Sequence, residues 1–538
     1  MMHRKQFNRR KNKMENSIAA RCRNKFWIVF LALFVFWHPL FYGFNWFSFP
    51  GIASPAKQAA IFMEAFLADP VRIRAGTVVK NGGFEDAGKE LKLKQKDDAC
   101  AGRYIYMHDL PGRFNEDLMK ECKLLNKWVD MCDYLVNMGL GPDIGNRRFL
   151  QSRGWFSTNQ FSLEPIFHSR MKQYECLTND SSRAAAVFVP YYAGFDVVRH
   201  LWGDFNASVR DSGALGLVKW LREKPEWGFM GGRDHFMVAG RITWDFRRLD
   251  DGDSSWGNKL MLLPECRNMT VLTIESSPRD KNDFAIPYPS YFHPSTDDQI
   301  LQWQSRMRKQ RRRTLFSFAG APRPNLDDSI RGQIIRQCLK SRTKCRLSEC
   351  KPERRKCDNP VYVMRMFQSS VFCLQPPGDS FTRRSTFDSI LAGCIPVFFT
   401  PASAYVQYLW HLPRNFAKYS VLIPEGDVRG KNVSIENILS GISNSRVSAM
   451  REEVIKLIPK LVYADPRTRL KRIKDAFDLT VEAVIDRVKK LRKEMREGKD
   501  SSLDFDDEHS WKYYAFGTVA EHEWDHFFSK QISSTRQN

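Results

Sequence analysis

Two adjacent arginines, Arg383 and Arg384, follow a break in the apolar run SVFCLQPPGDSFTRRSTFDSILAGCIPVFF at residues 370–399. Guanidinium groups are planar forks that match phosphate oxygens, and the N–H groups at a helix start are unsatisfied donors for an anion. Together they are what a pyrophosphate needs, so the first chemistry to expect is binding of a nucleotide-linked substrate. The surrounding segment supplies the frame. It reads as a strand at 371–374, a turn of Pro376, Pro377 and Gly378, and a helix opening over 380–385 with both arginines in its first turn. A stop at Gly393 and a second strand at 395–399 complete a βαβ unit.

Two other constellations invite a chemical reading and are set aside. Asp251-Gly252-Asp253 is a D-x-D triplet of the kind that holds Mn²⁺ on a nucleotide sugar, but within LDDGDSS it reads as a turn. His522-Glu523-Trp524-Asp525-His526 fits the H-E-x-x-H of zinc proteases. Such a helix lies inside its domain and needs a third ligand, and no His or Glu follows it in the chain. No metal is therefore expected.

The elements that must position these groups alternate in type. Strands are expected at 103–107, 184–191, 235–239 and 271–274, with helices at 114–125 and 160–174. A basic break at 300–313 precedes a second series: a strand at 314–319, a helix at 327–340, the βαβ unit, and a strand at 420–423. Long amphipathic helices are expected at 447–464 and 467–496. Strands alternating with helices in two successive series predict an α/β protein of two Rossmann-like domains facing a cleft. The expected boundaries are 101–310 for the upstream domain and 311–538 for the downstream one.

The opposite end of the chain bears on compartment. Residues 1–25 carry nine Lys or Arg and a single acid, Glu15, and residues 26–49 contain no Asp, Glu, Lys or Arg. A helix needs about 20 apolar residues to cross a bilayer, so 26–49 is expected to be a transmembrane signal anchor. The basic tail stays cytosolic, and residues 50–100 form a stem on the lumenal side. Of the 12 cysteines, all but Cys22 lie beyond the anchor, where an oxidising lumen favours disulfides and their odd number leaves one thiol over. Cys338, Cys345, Cys350 and Cys357 lack C-x-x-C spacing and read as disulfides, whereas Cys373 and Cys394 read as buried thiols. Sequons stand at Asn179, Asn206, Asn268 and Asn432. The formal charge of +23 suggests nucleic acid, which a lumenal domain does not meet. The run RMRKQRRR at 306–313 is expected to be a solvated loop or interdomain surface, with binding of an anionic sugar nucleotide or acidic glycan as the functional alternative.

Several long blocks carry a family resemblance: YIYMHDLPGRFN (104–115), FSTNQFSLEPIFHSRMKQYECLTND (156–180), AAAVFVPYYAGFDVVRHLW (184–202), GGRDHFMVAGRITWDFRR (231–248) and PPGDSFTRRSTFDSILAGCIPVFF (376–399). They resemble the plant exostosin-like glycosyltransferases of family 47, most nearly the xyloglucan galactosyltransferases of the katamari type, over roughly residues 100–530. The resemblance implies a Golgi-resident type II membrane protein of glycosyltransferase-B architecture. It would be an inverting enzyme taking UDP-galactose as donor and xylosyl side chains of xyloglucan as acceptor, without a cofactor. Another UDP-sugar such as galacturonic acid, or a non-catalytic glycan-binding or complex subunit, are the alternatives. Complexes with other wall-biosynthetic transferases are a further implied partnership.

Under that resemblance the downstream domain holds the nucleotide. Arg383 and Arg384 would stabilise the departing diphosphate, and Ser380, Thr382 or Ser385 would cap the helix and touch phosphate. Gly378 and Asp379 would lie in the close turn, and Asp388 would reach ribose hydroxyls. The base that takes the acceptor proton is expected from the upstream domain: Asp234 or His235 at a strand edge, with Glu164 and Asp245 as rivals. Sugar rings bury their C–H faces on flat apolar surfaces, so Trp155, Tyr191, Tyr192 and Trp202 are candidate acceptor platforms.

Overall fold

The computed structural model describes residues 98–498, apart from 146–149, 151–152, 253–254, 279, 281, 324–328, 351–356, 358 and 432. The basic tail, the apolar span, nearly all of the stem, the sequon at Asn432 and the H-E-x-x-H segment lie outside the described residues. Among those described, no helix is long and apolar enough to cross a membrane.

Strands of a parallel sheet are covered on both faces, which is why they stand out in the sequence as unbroken apolar runs. The upstream lobe contains β1 (Ile105–Met107), β2 (Leu177–Thr178), β3 (Ala186–Val189), β4 (His235–Ile242), β5 (Thr270–Glu275) and β6 (Asp283–Ala285). They form one sheet in the order β2-β1-β3-β4-β5-β6. The downstream lobe contains β7 (Thr314–Gly320), β8 (Cys345–Glu349), β9 (Ser370–Gln375), β10 (Ile395–Phe398) and β11 (Val421–Leu422), ordered β11-β10-β9-β7-β8. Every ladder is parallel. Both sheets therefore have a doubly wound order whose direction reverses once, at β1/β3 upstream and at β7/β9 downstream. Such reversals leave a crevice outside the carboxyl ends of the strands.

Helices of eight residues or more are α1 (Leu163–Met171), α2 (Ala207–Arg222), α3 (Asp297–Lys309), α4 (Ile330–Lys340), α5 (Pro360–Gln368), α6 (Arg384–Leu391), α7 (Asn444–Leu461) and α8 (Ala476–Arg496). α8 starts from a capping box at Asp475 and Asp478 and returns to the upstream lobe. There Phe477 meets Phe167 with ring centroids 4.8 Å apart, and Asp475 holds Arg170 at 3.1 Å. One apolar cluster consequently runs from Ile105 and Phe188 through Phe477 to Phe318 and Phe372, joining the two lobes.

Three expectations are corrected. The basic stretch at 306–313 keeps Arg308, Lys309, Arg311 and Arg313 exposed as expected, but its first half is the end of a helix and not a break. Ile300, Trp303, Gln304 and Met307 line the buried side of α3 at helical spacing, with Asp297 and Asp298 in its first turn and Arg306, Arg308 and Lys309 in its last. Charges so placed complement the helix dipole. Beyond α3, Arg312 is drawn inside to donate to the carbonyls of Phe367, Ser370 and Ala392 at 3.0, 3.2 and 2.7 Å. Second, Cys373 and Cys394 are joined, because β10 runs beside β9 with Pro396 opposite Cys373. Third, the last helix starts at Ala476, since Arg467 is held in a turn by Asp465. The other disulfides are Cys100–Cys176, Cys122–Cys132, Cys338–Cys345 and Cys350–Cys357. Cys266 is the thiol left over, and it is buried.

Candidate active site at the facing strand ends

The carboxyl ends of β7 and β9 are flanked by three arginines. Arg323 follows β7, Arg331 lies in the first turn of α4, and Arg383 caps the start of α6 with extended backbone. Arg323 pairs with Asp379 in the turn after β9. Arg331 donates Nε to the Pro377 carbonyl at 3.2 Å, and Arg383 donates Nη2 to the Ala319 carbonyl at 3.0 Å. A carbonyl carries only a partial charge, so these bonds position two of the cations without neutralising them. Arg383 Nη1 has no partner. Burial, reinforced by the Arg331 and Arg323 cations, pushes the Arg383 guanidinium down to about 9. Three cations facing one turn destabilise one another until an anion joins them. Gly378 fits this turn because a Cβ there would stand 3.1 Å from Arg331 Nη2.

The residues after that turn lock onto the upstream lobe. Glu275, the last residue of β5, is fully buried and accepts from the Thr382 N–H and hydroxyl, both at 2.7 Å. The Tyr288 hydroxyl meets Thr382 Oγ1 at 3.0 Å. Burial pushes the Glu275 carboxyl up, against the pull of these hydrogen bonds. Arg384 crosses the same seam. Its Nη1 donates to the Thr158 carbonyl at 2.7 Å, its Nε faces Asp388 at 3.3 Å, and it lies 3.8 Å from the ring centre of Tyr291. The two adjacent arginines thus divide their work: Arg383 joins the cation cluster, and Arg384 ties one lobe to the other. Asp388 is buried against Arg384, and Ser385 donates to Gln375 at 2.6 Å. Ser380 returns its carbonyl to the Gly378 N–H at 2.8 Å, which closes the turn.

The groups expected to supply the base are placed less simply. His235 opens β4, at the amino end of the strand, and is fully buried with Asp234 at 2.8 Å and His108 at 3.1 Å. An eight-residue strand puts its two ends roughly 23 Å apart, and the seam lies at the other end. Asp234 and His235 are therefore corrected to a structural pair. Glu164 and Asp245 do lie toward the carboxyl edge. Glu164 accepts the N–H groups of Gly194, Gly240 and Phe195 at 2.5, 2.9 and 3.3 Å. Burial still pushes its carboxyl up to about 8, over the opposing effect of those bonds. Asp245 is held by Arg241 and by Trp256 Nε1.

Three of the four expected acceptor platforms are corrected to core. Trp155 is buried against Phe292 and Trp303, Tyr191 donates to Asp196 at 2.7 Å, and Tyr192 meets His168 at 3.0 Å. Trp202 is half-buried. Asp251 of the D-x-D triplet pairs with Arg248 and Lys259. Asn179 and Asn206 are exposed, whereas the Asn268 amide nitrogen donates to the Gly231 carbonyl at 2.9 Å. Arg323, Arg331 and Glu275 are the residues of this candidate site that sequence reasoning missed.

The family model of the exostosin GT47 domain matches residues 99–439. The chain belongs to that family. It is 57% identical over 491 residues, 88% of this chain and 79% of the relative, to the xyloglucan galactosyltransferase MUR3 of Arabidopsis thaliana. It is 54% identical to the probable xyloglucan galactosyltransferase GT12 of the same plant, over 78% of this chain and 84% of that one. The xyloglucan-specific galacturonosyltransferase 1, also from Arabidopsis thaliana, is 43% identical over 74% of this chain and 59% of its own length. As a member of this family the chain is a glycosyltransferase. A glycosyltransferase implies a sugar donor.

Proposed function

We propose that this exostosin-family chain transfers galactose from UDP-galactose to xylosyl side chains of xyloglucan, with inversion, from a glycosyltransferase-B arrangement of its two lobes. The observation that carries the reading is the cluster of Arg323, Arg331 and Arg383 around the Gly378 turn, together with relatives named for this transfer. As the acceptor hydroxyl attacks the anomeric carbon and gives its proton to a general base, the bond to the diphosphate breaks and negative charge grows on the leaving oxygen. Guanidinium groups aimed at that oxygen stabilise the transition state more than the ground state. They supply the positive charge that a divalent cation provides in other transferases, which supports a metal-independent reaction.

The relative named as a galacturonosyltransferase makes UDP-galacturonic acid the competing donor. Incubating the full chain with a xylosylated glucan oligosaccharide and a panel of UDP-sugars, with and without chelator, decides by product mass. A hexose increment from UDP-galactose alone, unchanged by chelator, supports the reading. A galacturonosyl increment replaces it.

The disulfides, the basic tail and the uncharged span at 26–49 support residence in the Golgi membrane as a single-pass type II protein with its lobes in the lumen. Protease protection of the lobes in sealed Golgi vesicles checks that topology.

A further inference from the structure

Three loops of the upstream lobe, none of them in the arginine cluster, bring indoles together. Trp128 and Trp202 have ring centroids 4.9 Å apart, and Trp202 and Trp256 5.7 Å apart, each pair edge to face at 77°. Indoles usually gather to be buried, yet Trp128 is 71% and Trp256 45% exposed. The chain holds them outward deliberately. The Cys122–Cys132 disulfide closes the loop that carries Trp128. Within that loop Asn126 accepts the N–H groups of Trp128 and Val129 at 2.9 and 3.2 Å. Trp256 is fixed by its Nε1, which donates to Asp245 Oδ1 at 2.7 Å. Asp245 lies in the turn directly after β4, so the indole row starts from the strand edge that faces the seam.

The surroundings narrow the class of ligand. Arg199, on the segment leading to Trp202, is answered by Glu121 and Asp196 at 3.1 and 2.5 Å, and Lys127 Nζ lies 6.0 Å from the Trp128 ring centre. The exposed indoles of Trp128 and Trp256, pinned on either side of Trp202, suit β-linked pyranoses, whose axial C–H faces stack on indole while their hydroxyls stay wet. We propose that Trp128, Trp202 and Trp256 form a stacking platform for the glucan backbone of the acceptor, away from the bond being made. The proposal rests on the reading of the acceptor as xyloglucan. It adds the site that would let the enzyme prefer a polymer over a short oligosaccharide.

Affinity electrophoresis of the full chain through gels containing xyloglucan tests the platform without relying on catalysis. Trp128→Ala and Trp256→Ala should each weaken retardation about tenfold, and Trp128→Tyr should restore most of it. In transfer assays the same alanine variants should raise KM for polymeric xyloglucan by a similar factor. For Trp128→Ala, KM for a short xylosylated oligosaccharide, kcat and the thermal shift on adding UDP should stay within about twofold of the unsubstituted chain. Unchanged retardation in folded variants overturns the platform, as does retardation by an acidic glycan but not by xyloglucan. Failure of transfer from UDP-galactose with retardation intact counts against the proposed reaction and leaves the platform standing.

Discussion

The buried charges of the two lobes are treated differently. Upstream, three strongly buried acids are matched in place, Glu164 by three N–H groups, Asp245 by Arg241 and an indole, and Asp234 by His235, whereas Glu275 is answered across the seam by Thr382. Downstream, at the β7/β9 reversal, three arginines share one carboxylate, that of the exposed Asp379, and two backbone carbonyls. Matched groups hold a fold together, whereas an imbalance held in place by well-packed strands can be corrected by a ligand. The contrast makes the downstream turn the candidate place for an anion.

The sharpest way to break the contrast is Arg383→Ala. Loss of a donor aimed at a developing oxyanion costs roughly 100-fold to 1,000-fold in kcat, and the thermal stabilisation given by UDP should fall with it. An Arg384→Ala variant should instead lose stability, by about 1–3 kcal/mol in urea unfolding, because its bonds join the lobes. Equal kinetic losses in the two variants with unchanged stabilities would show that the division between them is not real.

Next in size is the pH response of Glu164. Its folded carboxyl is pushed up to about 8, above its unfolded range near 4.5. Between those values the folded chain holds a proton that the unfolded chain has released. Stability from this group is therefore complete below pH about 4.5 and is lost as pH rises toward about 8, on the order of a few kcal/mol in all. Glu164→Gln should flatten that decline in unfolding midpoints measured across the window. A decline equally steep in the variant would mean another group titrates there.

Smaller still is Arg331→Ala, expected to weaken UDP binding roughly tenfold with the midpoint of unfolding nearly unchanged. Calorimetric titration with UDP reads it directly. A loss as large as that of Arg383→Ala would mean the three cations act as one unit.

How much of this was legible depended on what kind of signal each residue carried. The strand–turn–helix–strand around Arg383 stood out because parallel strands are continuous apolar runs and Pro376, Pro377 and Gly378 punctuate them. Arg323 and Arg331 gave no such sign. They reach the same turn only because β9 pairs beside β7 rather than beside β8, and strand order is not written in any local stretch. The one available hint was that Arg323 sits in a Pro-flanked turn directly after an apolar strand. Tyr191 and Tyr192 follow β3 at the right edge, yet their hydroxyls turn inward to Asp196 and His168. The Cys373–Cys394 link was invisible for the same reason as the arginine cluster, since it needed the register of β9 against β10.

Asp234 and His235 mark the most instructive error and the smallest expected effect. They look catalytic because an acid and an imidazole stand at a strand edge, but a strand has two edges, and in doubly wound sheets ligands bind at the carboxyl one. Asp234 precedes β4 and His235 opens it, at the amino end. The His235 ring is enclosed by Asp234, His108 and the indole of Trp227, whose centroid is 5.1 Å away. Asp234→Asn keeps the size of the side chain and weakens only its bond to His235, so transfer rate should change by less than about twofold while stability falls by roughly 1 kcal/mol. Paired measurement of kcat and of the urea midpoint separates the two. A drop in kcat approaching that of Arg383→Ala, in a variant that still unfolds normally, would put chemistry at the amino end of β4 and erase the distinction between the lobes.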